Sequence, residues 1–272
     1  MPLLVPPAAP RRGLRLAMSL SCLALPSVWR AHELARSDAA GLDTGHPALN
    51  AVLPGAGWPQ AGLSELLQPY PGCGEWGLLG PALSRLGASN RVTVLVAAPY
   101  VPFGPALSAV SLAPSNLLRV QAISAAERLW VAEQALRCAD VACVLLWLEQ
   151  AQSAPLRRLH LAAQEHAKPL FVLRPERAQH ESSPAPLRLL LSWQDPPDGQ
   201  DAQRVHSGVV PPLWVRVLKR RGPPLEARLP LLTVSTGLQA LLTASRVQAR
   251  RRRHLAAPLE LVHAVDRTAS LV

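Results

Sequence analysis

The residues whose types and spacing best suit chemistry are Pro69, Pro71, Gly72, Gly74 and Gly77, a dense cluster of turn formers. Ahead of them Leu63–Leu67 is a short apolar run suited to a buried strand, and behind them Leu78–Leu86 suits a helix. Strand, glycine turn and helix together form the plan of a phosphate cradle, in which backbone N–H groups and the helix N-terminus hold an anion. A nucleotide-binding P-loop requires G-x-x-x-x-G-K-S/T. Gly72 and Gly77 keep the glycine spacing, but Leu78 and Leu79 occupy the lysine and hydroxyl positions, and the only lysines, Lys168 and Lys219, lie far downstream. Glu75 inside the turn adds a charge that repels phosphate. The expectation is a degenerate P-loop (Gly72, Gly74, Glu75, Gly77) that binds no cofactor.

The other reactive side chains do not assemble into a site. Glu149, after the apolar run Val141–Leu148, is the one acid near a strand end where Mg²⁺ would be held through water; Trp147 or Leu148 stands where that acid is expected. Glu127 and Glu133 are six residues apart on one helix, hence on different faces, and Glu133 is set instead for a weak surface pair with Arg137. His160 and His166 are also six apart, wrong for a two-ligand metal face. A G-x-S-x-G nucleophile turn is absent. The four cysteines, Cys22, Cys73, Cys138 and Cys143, form no C-x-x-C pair and no zinc set, and read as free thiols in a reducing cytosol; Cys73, in the glycine turn, is the one placed for reactivity. The expectation is no catalytic residue, no metal and no enzyme.

Two basic features remain. Lys219, Arg220 and Arg221 follow a strand, and Arg246 with Arg250, Arg251, Arg252 and Arg253 lies in the tail. The chain carries 28 Lys and Arg against 18 Asp and Glu, a net +10. This excess fits attraction to nucleic acid or an acidic partner, and equally an arginine-rich composition giving a solvated basic surface. The tail lacks aromatic platforms for bases, and Trp214 is the one aromatic near the first cluster, which favours protein binding over direct strand recognition.

The elements that must position these residues alternate. Apolar strands are expected at Arg91–Ala97, Leu117–Gln121, Val141–Leu148 and Leu170–Leu173. Helices are expected at Phe103–Val110, after the capping box Ser124–Glu127, and from Pro155. Leu187–Ser192 and Trp214–Leu218 read as closing strands with antiparallel character, flanking a polar loop at Gln194–Pro212. Such alternation means βαβ units and an α/β sandwich with a mostly parallel sheet. At 272 residues and 49% apolar composition, one large domain with tails is expected: residues 1–43 a leader with a short helix, 44–230 the core, 231–272 a basic tail. No run is long enough for a membrane span. Arg15 interrupts the apolar stretch after Arg11 and Arg12, so a start at Met18 or a leader is preferred to an export signal.

Thr44-Gly45, Leu49-Asn50, Leu53, Pro54-Gly55, Gly57-Trp58-Pro59, Gly62 and Glu65, leading into the glycine turn, resemble the opening of the RecA-like core and, most closely, the ImuA family. Further resembling pieces are Ala98–Pro102, Trp130 with Glu133-Gln134 and Leu136-Arg137, Leu156–Leu159, Arg174-Pro175, Ser183–Leu189 and Leu218–Pro223. The chain departs from the pattern at Asn50, where the family has Asp, and at Ala56, where it has Gly. The resemblance implies a RecA-like sandwich with a degenerate P-loop. It implies a cytoplasmic, non-catalytic, SulA-related accessory to damage-induced translesion synthesis. The implied partners are an ImuB-type polymerase-like protein, an error-prone DNA polymerase and RecA, with DNA contact through the tail left open. A SulA-type inhibitor of cell division and a RecA-like ATPase are the alternatives.

Overall fold

The structure is a computed structural model that describes residues 40–193, 211–225 and 228–233. The tail arginines Arg246 and Arg250–Arg253, Cys22, and nearly all of the leader and of the Gln194–Pro212 loop lie outside the described residues.

Eight strands form one sheet: β1 (Gly62–Gln68), β2 (Val92–Val96), β3 (Leu117–Val120), β4 (Val141–Trp147), β5 (Pro169–Pro175), β6 (Leu187–Ser192), β7 (Leu213–Lys219) and β8 (Arg228–Leu231). Their order is β3-β2-β4-β5-β1-β6-β7-β8. All neighbours from β3 to β6 pair in parallel, and only β6–β7 and β7–β8 are antiparallel. The two closing strands pair antiparallel with each other as expected, while β6 also lies parallel alongside β1. Strand β8, absent from the expectations, is a short edge strand containing Pro230, and it runs one residue past the expected core boundary.

Parallel neighbours need crossovers, and helices supply them on both faces. Helix α2 (Glu75–Gly87) leads from β1 towards β2; α3 (Gly104–Ala109), α4 (Ala125–Arg137) and α5 (Ser153–Glu165) lie between β2 and β3, β3 and β4, and β4 and β5. Because both faces are covered, β1, β4 and nearly all of β5 are buried along their length. Side chains of β4 alternate between two cores. Cys143, Leu145 and Trp147 meet Leu78, Leu79 and Leu83 of α2, whereas Val144 and Leu146 meet Leu136 of α4 and Leu156 of α5. In β7 only Leu213, Val215 and Val217 are buried, the alternation of a strand covered well on one face. The α4 capping box forms as its spacing dictates: the Ser124 hydroxyl accepts the Glu127 N–H at 3.2 Å, and the Glu127 carboxylate accepts the Ser124 N–H at 3.1 Å. Glu133 binds Arg137 at 2.8 Å and also Arg158 at 3.1 Å.

The approach to β1, which includes the short helix α1 (Pro47–Asn50), is keyed to a proline in α2. Pro81 has no N–H, so the Gly77 carbonyl one turn earlier loses its helical donor. The His46 ring supplies a replacement, Nε2 donating to Gly77 O at 3.2 Å. Gly45, at φ +79°, lies so close to Pro81 that an added Cβ would stand 2.3 Å from the proline Cβ. The Asn50 amide accepts from the Thr44 hydroxyl at 2.8 Å and donates to Asp43 at 2.7 Å. An aspartate at position 50 would instead set a second carboxylate against Asp43.

Candidate functional site

The glycine turn leaves β1 at Gln68 and enters α2 through Gly72 and Gly74, both at positive φ (+89° and +82°), where glycine carries no Cβ penalty. Its shape fits a phosphate cradle, but its contents do not. The Glu75 carboxylate folds back and accepts the Gly72 N–H at 2.9 Å, using a donor that a phosphate would need. Burial pushes the Glu75 carboxyl above its ordinary range, and its second oxygen has no hydrogen-bond partner among the described residues. Leu78 and Leu79 are fully buried in the α2 core, so the lysine and hydroxyl positions face the wrong way for chemistry. Trp193 and Leu213 close on Gly74, and Thr233 closes on Gly77. Cys73, the thiol best placed for reactivity by sequence, is buried, and burial, then the Glu75 charge, pushes its pKa to about 11.

In the middle of β1, Glu65 is fully buried and paired twice. Its Oε1 takes Arg174 Nη1 at 2.9 Å, and its Oε2 takes Arg188 Nε. Arg174 reaches on to Glu181 at 2.6 Å, and Arg188 donates to the Ala178 carbonyl at 2.7 Å. The cluster ties β1, β5 and β6 to the 3-10 turn Glu176–His180. Read as one letter in an apolar run, Glu65 gave a signal that was not followed: a lone acid in a buried strand requires a cation.

The C-terminal ends of the parallel strands border a cleft of about 420 Å³. Gln68, Trp147 and Arg174 line its walls, and Arg128, Arg177 and Glu149 lie around it. Glu149 is exposed. Among the described residues no three His, Cys, Asp or Glu side chains gather as a metal site.

The basic loop is largely occupied by structural work. Lys219 donates to the Ser183 carbonyl at 3.0 Å; Arg220 donates to Pro223 at 3.1 Å and also to the Val52 carbonyl. Arg221 is exposed. Together with Arg220, His160 and Gln164 it borders a second pocket of about 230 Å³, at the other end of the strands. There His160 Nδ1 accepts the Leu63 N–H at 3.1 Å, and burial, then the Arg221 and Lys219 charges, lowers the imidazole pKa. The structure thus brings Lys219, Arg220 and Arg221 together as one loop, well away from the glycine turn.

The described residues define a mixed α/β protein with a mostly parallel sheet and a glycine turn closed by its own side chains. No helix among them is long and apolar enough to cross a membrane. No family model matches the chain. Part of it is similar to cell division inhibitor SulA of Edwardsiella piscicida, with 28% identity over 109 residues, covering 40% of this chain and 65% of that protein. The chain thus spans just under two thirds of that relative's length. The crystal structure of SulA from Pseudomonas aeruginosa shares 28% identity and covers 42% of this chain and 97% of its own, with a TM-score of 0.35.

Proposed function

We propose that this chain is a non-catalytic, protein-binding factor of the DNA-damage response. The observation that carries the reading is the glycine turn: Glu75 occupies the Gly72 N–H, and Leu78 and Leu79 are committed to the core. With leucine at both positions after Gly77, the turn itself supplies neither the lysine nor the hydroxyl with which a P-loop stabilises phosphoryl transfer. The sequence kinship with SulA supports the damage-response setting. Within that setting, the ImuA-like pieces along the chain favour an accessory role in translesion synthesis, working with an ImuB-type protein, an error-prone polymerase and RecA. The parallel sheet, with β1 inside it and a glycine turn leading into α2, is consistent with the RecA-like core that this role implies.

The SulA match favours a second reading, inhibition of cell division, with equal weight. Two measurements separate them. Deletion of the gene lowers damage-induced mutation frequency under the first reading and leaves it unchanged under the second. Overexpression without DNA damage produces filamentous cells only under the second. Saturable ATP binding by the purified protein would count against both.

A further inference from the structure

The cleft at the C-terminal ends of the strands combines polar walls with a charged rim. It lies where connections leave the sheet in opposite senses: β1 feeds α2 on one face, while β4 feeds α5 on the other. Open α/β sheets leave a crevice at such switch points, and ligands bind there. Behind three of its walls lie buried polar atoms without a partner. Gln68 Oε1, Trp147 Nε1 and Arg174 Nε have no partner among the described residues, although the three side chains are only 3%, 7% and 1% exposed. Buried polar atoms are ordinarily satisfied, and three orphans around one cleft are unusual.

The chemistry of the occupant follows from this set. Two of the orphans are donors. The rim carries Arg128 and Arg177 beside the carboxylate of Glu149, while Arg174 in the wall is already paired with Glu65 and Glu181. The loops at this same edge expose Tyr70, Tyr100, Val101, Phe103 and Ile123, at 54% to 90%. A cleft with two arginines at its rim and apolar side chains beside it matches an acidic residue set among apolar ones. We propose that this edge docks a segment of a partner protein, inserting an Asp or Glu side chain into the cleft and laying flanking apolar residues on Tyr70 and Phe103. A nucleotide fits less well, because the turn beside the cleft has given its Gly72 N–H to Glu75. The inference deepens the protein-binding reading above and rests on it.

The test uses the full chain and a fluorescent peptide, Leu-Phe-Glu-Leu-Asp, followed by anisotropy. Arg177 is exposed, so Arg177→Glu leaves folding intact, as circular dichroism will verify. Saturable binding that weakens about tenfold in Arg177→Glu, and again when the peptide acids are replaced by amides, supports the site. No binding to the intact chain, equal binding by Arg177→Glu, or displacement of the peptide by ATP or by a thymidine oligonucleotide overturns it. In cells the two levels separate. If deletion has a phenotype that Arg177→Glu lacks, only the docking site falls; if deletion has none, the damage-response reading falls while peptide binding still stands or fails by itself.

Discussion

Glu65 and Glu75 lie ten residues apart in sequence, both almost wholly buried, and they have opposite fates. Glu65 sits mid-strand where both faces are covered, and its two oxygens meet two guanidinium groups. Glu75 sits at a helix start, with one backbone N–H for one oxygen and nothing for the other. A buried carboxylate is tolerable when charge and hydrogen bonds answer it, and is otherwise pushed towards its neutral form. The first therefore organises the sheet. The second fills a turn whose shape suits an anion, and does so at a cost.

The comparison breaks most severely at Glu65. Glu65→Ala leaves Arg174 and Arg188 as buried cations without their shared anion, a loss of about 3–5 kcal/mol. Urea unfolding is expected to show a strongly lowered midpoint, or no folded protein at all. Restoring the P-loop lettering at the other end is expected to fail for a related reason. Leu78 is fully buried in the α2 core, so Leu78→Lys buries an ammonium there and costs about 3 kcal/mol or more, with no gain of ATP binding. Thermal melting with and without Mg-ATP checks both halves; a ligand-dependent rise in midpoint would show that the turn is a nucleotide site after all.

The sequence made much of the fold legible. β4 read directly as a buried strand because its residues are apolar on both faces, β1 and β5 read as strands from their shorter apolar runs, and the α4 capping box is a local four-residue pattern. The turn was also legible as a glycine turn between a strand and a helix, since glycine spacing is local. The content of the turn was not: Glu75 reads as a charge aimed at a ligand, whereas the chain turns it on its own Gly72. Nor was the Glu65 cluster, whose arginines stand 109 and 123 residues away and are brought together only by the β5-β1-β6 order. The cleft draws its walls from Gln68 to Arg177, across four strand ends, and no single window contains it.

A smaller effect tests how the approach segment holds the turn. His46→Ala leaves the Gly77 carbonyl without the donor that replaces Pro81's missing N–H, a cost of about 1 kcal/mol. In a Pro81→Ala background the helix supplies its own donor, so the same change should cost about half as much or less, and a double-mutant cycle reads the coupling. Equal costs in both backgrounds would show that the imidazole acts through packing alone.

The smallest change has the opposite sign. Because burial raises the Glu75 carboxyl, the folded chain binds its proton more readily than the unfolded chain does. Stability from this group therefore falls as pH rises from the ordinary carboxylate value of 4.5 through the raised one, and the ionised form is a burden at neutral pH. Glu75→Gln keeps an oxygen for the Gly72 N–H and removes the charge, so it is expected to stabilise the protein by about 0.5–1 kcal/mol at neutral pH. That gain should shrink to nothing once the pH falls below the ordinary carboxylate range. Urea midpoints across that span decide the matter. A destabilised Glu75→Gln would mean that the carboxylate is answered by a cation, and the contrast with Glu65 would then be one of distance rather than of kind.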